Sequence, residues 1–260
     1  MDIARKSAAI IMAAGKGTRM KDPAQAKVLY EIHGKPMIHY VVELASRLSM
    51  DRVIVVVGHQ REAVMEYLRT AHPFVECVVQ AEQLGTGHAV MQAKNALEGF
   101  NGHVTVLSGD VPMLRKNTMD ALIAHHLATQ AMATILTAEM PDPTGYGRIL
   151  RRSDGSVSRI VEQRDATPEE SAVTEINSGI YVFEKRHLFE ALELIKPDNV
   201  QHEYYLTDVF EHFARRGWKV SARKSPNVDE IRGINTYAQL EEARSLMQSR
   251  RDAGIGSGGA

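Results

Sequence analysis

The sequence predicts an α/β fold: a doubly wound, mostly parallel sheet with an antiparallel part inserted in its second half. Two short runs without a single charge, 8–14 and 53–57, each stop at a glycine, Gly15 and Gly58. Continuous apolar runs of this length mark strands covered on both faces, as parallel strands of α/β sheets are. Stretches with helical spacing lie between such runs, so strand and helix alternate. The segments 157–162 and 176–183 instead alternate in the manner of antiparallel strands.

Each element has its own justification. The strand 8–14 feeds a tight loop in which Gly15 and Gly17 permit positive φ and close approach of a ligand to the backbone. A helix over 37–48 places Met37, Tyr40, Val41, Leu44 and Leu48 on one face, with Pro36 at its start, where a missing N–H does no harm. The strand 53–58, a helix near 62–68 and the strand 75–79 follow. A helix over about 86–97 opens at Thr86, and the strand 104–110 is stopped by Pro112. Next come a helix over 117–128, a strand over 132–138 and a turn-rich loop, 142–149, that opens a further strand. Pro168 with Glu169 and Glu170 marks a surface excursion. An amphipathic helix over 203–216 turns Val209, Phe210 and Phe213 inward and ends at Gly217. A short strand at 218–222 precedes a charged helix at 237–251 with Leu240, Ala243, Leu246 and Met247 on one face. The Gly/Ser-rich tail is expected to be disordered.

Composition narrows the function classes. The 260 residues suffice for one large domain or two small ones, and 44% hydrophobic with 24% charged residues implies a sizeable core under an ordinary surface. A formal net charge of −1 gives no reason to expect nucleic acid or an anionic membrane as partner. The one cysteine, Cys77, sits in an apolar run and reads as a strand residue, which suits a reducing, cytoplasmic setting. Arg5 and Lys6 before an apolar run imitate the start of a signal peptide, but the run breaks off at Gly15-Lys16-Gly17 and is too short to span a bilayer.

Ligands of doubly wound sheets sit at the carboxyl ends of the strands. Three such ends carry polar chemistry. Lys16, Arg19, Lys21 and Lys27 surround the first loop, and backbone N–H groups with fixed cations make a phosphate cradle. Neither familiar phosphate loop fits: Ile10 stands where a Walker A loop has glycine, and Met20 where the dinucleotide fingerprint has its third. A lone Gly-x-Gly is equally an ordinary strand-to-helix turn. At the third strand's end the amide of Gln80 stands near Gly85-Thr86-Gly87, an arrangement suited to reading a base edge or simply to capping a helix with Thr86. At the fourth strand's end Asp110 offers the hard oxygen that Mg²⁺ prefers, or caps a turn.

The string Met12-Ala13-Ala14-Gly15-Lys16-Gly17-Thr18-Arg19-Met20, followed by Lys27-Val28-Leu29, resembles the signature of the sugar-nucleotide pyrophosphorylases, the sugar-1-phosphate nucleotidyltransferases. The segment 80–89 is similar to the uracil-binding loop of N-acetylglucosamine-1-phosphate uridylyltransferases, and Gly109-Asp110-Val111-Pro112 and Tyr204-Tyr205-Leu206-Thr207-Asp208 match the same family. The resemblance covers about residues 8–250. It implies a Rossmann-like, GT-A-like fold that binds UTP and N-acetyl-α-D-glucosamine 1-phosphate and makes UDP-N-acetylglucosamine and pyrophosphate. It also implies site residues. Met12, Ala13, Ala14, Gly15, Lys16, Gly17, Gln80, Gly85 and Thr86 would bind the nucleotide, and Arg19, Lys27 and Asp110 would be catalytic. Asp110 and Asn235 would hold Mg²⁺, and Gly147, Glu162, Asn177, Tyr205 and Thr207 would bind the sugar. This chain departs from the family at Ala26, where proline is usual, and at Ser108, where an aromatic residue is common.

The same reading divides the chain into a nucleotidyltransferase domain, 1–252, and a tail, 253–260. Within the domain, about 1–110 and 228–252 serve the nucleotide and about 111–227 the sugar. No hexapeptide repeat of the kind that builds the β-helix acetyltransferase of bifunctional relatives follows residue 240, so one activity and a monomer or weak dimer are expected. Alternatives are the same chemistry on glucose or N-acetylmuramate 1-phosphate, and a UDP-sugar-binding module without turnover. A Rossmann oxidoreductase fits worse, because Gly58-His59-Gln60 supplies no ribose-binding acid.

Overall fold

The computed structural model describes residues 6–20, 25–252 and Gly254; Lys21 and, apart from Gly254, the tail at 253–260 lie outside the described residues. In chain order the elements are β1 (Lys6–Ala13), β2 (Glu31–Ile32), β3 (Lys35–Pro36), α1 (Met37–Arg47), β4 (Arg52–Val57), α2 (Arg61–Ala71), β5 (Glu76–Val79), α3 (Thr86–Met91), β6 (Gly102–Ser108) and α4 (Lys116–Thr129). They continue with β7 (Ala133–Glu139), β8 (Arg148–Arg151), β9 (Val157–Val161), α5 (Pro168–Ser171), β10 (Glu175–Glu184), α6 (Lys185–Leu192), α7 (Val209–Arg215), β11 (Val220–Lys224) and α8 (Tyr237–Asp252).

The main sheet runs β11-β7-β10-β6-β1-β4-β5, with the β8–β9 hairpin attached through β10. β1 is parallel to both β4 and β6, and β5 is parallel to β4. β10 is antiparallel to β6 and to β7. The Rossmann-like sheet with an antiparallel insertion is therefore present, and both kinds of pairing meet at β6. The register sets Met12 of β1 opposite Val56 of β4 and Ser108 of β6, so the loops after these strands open on one edge.

β1 explains why the core has two layers. Alternate residues of a strand point to opposite faces. Ala8 and Ile10 join one buried cluster, with α3, α6 and α7 residues; Ala9, Ile11 and Ala13 join another, with α1, α2 and α4 residues. A third cluster packs Leu240 and Ala243 of α8 on Tyr30, Ile32, Met37 and Met113, with Leu246 and Met247 partly buried beside them. The apolar stripe read from the sequence of the last helix is thus met within the chain.

Three expectations need correction, and one element was not expected at all. Residues 203–205 are not helical: the N–H of Tyr204 is given to the Leu84 carbonyl and its own carbonyl accepts from Gly87, which removes both from a helical ladder. The helix at 86 ends at Met91, because Gln92, Ala93 and Lys94 bond three residues back rather than four. The last strand begins at Val220 rather than 218, since Trp218 packs edge-on against Phe213 and His187. Helix α6 was not foreseen. Among the described residues no helix is long and apolar enough to cross a membrane.

Candidate functional site

The site is built on the loop after β1. Gly17 turns it, with φ +60° and its carbonyl accepting from Met20 N–H at 2.8 Å. The turn presses Gly17 onto Lys27: a Cβ added there would lie 2.7 Å from Lys27 Cβ. Only glycine meets both demands. Lys16 and Arg19 stand exposed on this loop. Lys27, by contrast, points inward. Its ammonium forms an ion pair with Asp110 and donates to Asn235 Oδ1 at 3.0 Å. Their side chains keep only 13% and 18% of their exposure, so the Lys27–Asp110 pair is largely withdrawn from water.

The two oxygens reach Lys27 from distant parts of the chain. Asp110 follows β6, whose exit is tied to β1 by Gly109 N–H donating to Met12 O at 2.9 Å. The Asp110 carbonyl in turn accepts from Ile234 N–H at 2.9 Å, which brings Asn235 alongside. Asn235 is fixed at the entry of α8, its N–H donating to Gln239 Oε1 at 2.8 Å. Tyr146 lies near by, and burial pushes its phenol up. Lys27, Asp110 and Asn235 thus converge, although the sequence spaces them over 208 residues.

The second loop is held as tightly. Gln80, 3% exposed, donates through Nε2 to the Gly85 carbonyl at 3.0 Å and faces His88 Nδ1 at 3.0 Å. The alternative reading of Thr86, as a helix cap, is not what the structure contains. Gly85 is the cap residue, and Thr86 Oγ1 accepts from Leu206 N–H at 3.0 Å. Together with the Tyr204 bonds to Leu84 and Gly87, this sews the 84–87 loop to 204–206.

On the antiparallel side, Asn177 lies in a bulge of β10, where the register against β7 shifts before Tyr181. Its N–H donates to the Gly147 carbonyl at 2.9 Å and its Nδ2 to the Tyr181 hydroxyl at 2.7 Å. Glu162 follows β9 and accepts from Thr207 Oγ1 at 3.0 Å. Burial raises the Glu162 carboxyl, and Asp165 and Glu203 add to it. The Tyr205 phenol is pushed up by burial with Asp165 beside it. Hydrogen bonds thus join Asn177 to Gly147 and Glu162 to Thr207, while Lys27, Asp110 and Asn235 form a separate cluster.

Sequence reasoning missed the acidic neighbours. Asp165 and Asp208 join Glu162, and burial, with Glu162, Glu211 and Asp165 near, pushes the Asp208 carboxyl up to about 6. Nothing in the local sequence signals this, since the acids meet only through the fold. A carboxyl whose folded pKa is raised binds more protons folded than unfolded, so its favourable contribution is complete below the unfolded value and is lost as pH rises through about 6. Asp208→Asn is accordingly expected to stabilise the chain at pH 7.5 by about 1 kcal/mol, after allowance for solvent screening of a partly exposed group. The gain should vanish near pH 4; thermal melts at both pH values check it, and an equal gain at both would refute the assignment. Gln239 was also missed, though Thr236-x-x-Gln239 is a capping box visible in the sequence.

A cluster able to hold a divalent ion is present as well: His39, Glu43 and His72. None of the three is among the site residues read from the sequence.

Comparison with known proteins adds relatives to this geometry. Residues 8–227 match the family described as Nucleotidyl transferase. The bifunctional protein GlmU of Pelobacter propionicus is 49% identical over 243 residues, which is 94% of this chain and 52% of that protein. The bifunctional protein GlmU of Halalkalibacterium halodurans is 46% identical over 242 residues, 93% of this chain and 52% of its own. This chain spans about half the length of the curated relatives it matches. A crystal structure of UDP-glucose pyrophosphorylase complexed with UDP-glucose shares the fold, with a TM-score of 0.77, 20% identity, and coverage of 95% of this chain and 100% of that one.

Proposed function

The chain belongs to the nucleotidyl transferase family, and on that footing we propose that it transfers UMP from UTP to N-acetyl-α-D-glucosamine 1-phosphate, giving UDP-N-acetylglucosamine and pyrophosphate. The observation that carries the reading is the convergence of Lys27 with Asp110 and Asn235 beside the glycine loop after β1. The similarity to proteins named GlmU supports the choice of sugar and base.

In this reading the sugar phosphate oxygen attacks the α-phosphorus of UTP in line, and pyrophosphate leaves opposite. Catalysis then rests on positioning and on charge neutralisation. Backbone from Met12 to Gly17 cradles the phosphates, and Lys16 and Arg19 hold the β- and γ-phosphates that depart. Lys27 neutralises charge at the α-phosphorus. Asp110 and Asn235 already direct two oxygens at one cation, the Lys27 ammonium, and this hard donor pair fits Mg²⁺. When bound, that ion supplies charge neutralisation between the reacting phosphates. Gln80, Gly85 and Thr86 read the base. Gly147, Glu162, Asn177, Tyr205 and Thr207 receive the sugar, so about 111–227 serves the sugar while about 1–110 and 228–252 serve the nucleotide.

A pyrophosphate-release assay over a panel of nucleoside triphosphates and sugar 1-phosphates tests the proposal. Highest kcat/KM is expected for UTP with N-acetylglucosamine 1-phosphate. A preference for glucose or N-acetylmuramate 1-phosphate would replace the sugar assignment, and no release with any pair would reduce the chain to a binding module. Gln80→Ala should cost about 1–3 kcal/mol in use of UTP and little in sugar-phosphate binding, because it removes a buried amide and its hydrogen bond to the Gly85 carbonyl, which keeps only the bond from Ala89 N–H. An unchanged ratio of UTP to CTP use would move base reading elsewhere. Lys27→Ala should lower kcat more than it raises either KM; a purely KM effect would make Lys27 a binding residue only.

A further inference from the structure

Helices α1 and α2 bring together three side chains that the reaction does not use. His39 and Glu43, four residues apart, share one face of α1, and His72 caps the end of α2 opposite them. One donor atom from each lies within 4.8 Å of the other two. We propose that His39, Glu43 and His72 form a binding site for a divalent transition ion of the zinc class, separate from Asp110 and Asn235.

The donor set decides the class of ion. Two imidazole nitrogens and one carboxylate are a set that holds Zn²⁺ with a fourth position left for water. Mg²⁺ takes oxygen ligands and would disregard both imidazoles. The spacing agrees. His72 Nε2 lies 2.9 Å from His39 Nδ1, and tetrahedral bonds of about 2.0–2.1 Å would set two such nitrogens about 3.3 Å apart. A small rotation of either ring closes the difference. His39 Nδ1 is the meeting point of the cluster, with the Tyr67 hydroxyl at 3.0 Å and His72 Nε2 both beside it. Glu43 approaches His72 as well, with Oε1 3.9 Å from Nδ1, and a carboxylate oxygen of Glu43 lies within 4.8 Å of one donor nitrogen of each histidine. Access exists too. His72 is 2% exposed, but His39 and Glu43 line an open cavity of about 510 Å³.

Cobalt is the probe, since four-coordinate Co²⁺ with nitrogen ligands absorbs visibly. CoCl₂ titrated into the full chain in excess Mg²⁺ should give a spectrum saturating at one equivalent, and ZnCl₂ should displace it. Glu43→Gln and His39→Gln should each weaken binding by about 100-fold, at least the loss that follows removal of an outer partner of a metal ligand. Asp110→Asn should leave the titration unchanged. Far-UV circular dichroism confirms that each variant is folded, and the partly exposed Glu43 carries the test if His39→Gln is not. The proposal is overturned by the absence of a spectrum at one equivalent, by equal affinity in folded Glu43→Gln, or by loss of binding in Asp110→Asn. None of these outcomes depends on which nucleotide or sugar the chain uses.

Discussion

Asp110→Asn is expected to reduce turnover by about a thousandfold or more, the scale of about 4 kcal/mol in transition-state charge stabilisation. The reason lies in what Asp110 faces. Its carboxylate is the anionic partner of Lys27, in a pair largely withdrawn from water, and Asn235 supplies only a neutral carbonyl to the same point. Substitution by the amide keeps the shape and deletes the charge. It should weaken the hold on a divalent ion and release Lys27 from its ion pair. UTP binding measured without Mg²⁺ should change little, since the phosphate cradle is left intact. Steady-state rates across a Mg²⁺ titration, with calorimetric UTP binding beside them, check this. Near wild-type turnover at limiting Mg²⁺ would remove Asp110 from the metal site.

Gly85→Ala should be the most damaging change to the fold near the site. Gly85 has φ +109°, which side chains rarely adopt. A Cβ there would also lie 2.6 Å from the Tyr204 carbonyl oxygen and 2.9 Å from the Tyr204 nitrogen. These are backbone atoms already bonded to Leu84 and Gly87, so neither segment can withdraw without breaking the other's hydrogen bonds. The expected loss is about 3 kcal/mol or more, from strain plus overpacking. Urea unfolding measures it, and UTP use should fall as well because Gln80 loses its anchor on the Gly85 carbonyl. A loss below about 1 kcal/mol would show that the 203–206 segment yields freely.

The strands were legible because each is a local pattern. The run at 8–14 is apolar throughout, and β1 is buried from Ala8 to Ile11. The loops after β1, β5 and β6 were legible for the same reason, since glycine and a polar residue at a strand's end are neighbours in sequence. Contacts between distant segments were not. The seam between 84–87 and 204–206 consists of backbone hydrogen bonds, which leave no mark in side-chain identity. It also defeated the helix predicted over 203–205, where local amphipathicity lost to tertiary pairing. The resemblance assigned Asp110 and Asn235 to one metal ion and Lys27 to the α-phosphate; what the sequence did not indicate is the direct contact of the Lys27 ammonium with both. His39-x-x-x-Glu43 was readable as a pair on one helix face, but its third member arrives from the next helix.

The pairing of β6 has a consequence for how the chain opens. One edge of β6 is bonded to β1 and the other to β10, so the strand that Asp110 follows and the strand that carries Asn177 are direct neighbours. The parallel and antiparallel parts of the sheet are therefore joined by a hydrogen-bonded ladder. β5 and β11 end the strand order, whereas β1, β6 and β10 each lie between two others. Amide protons of these three should therefore exchange with deuterium only at the rate of global unfolding, while β5 and β11 at the sheet's margins exchange sooner. The parallel and antiparallel parts of the sheet, built on one ladder, should melt as a single cooperative unit.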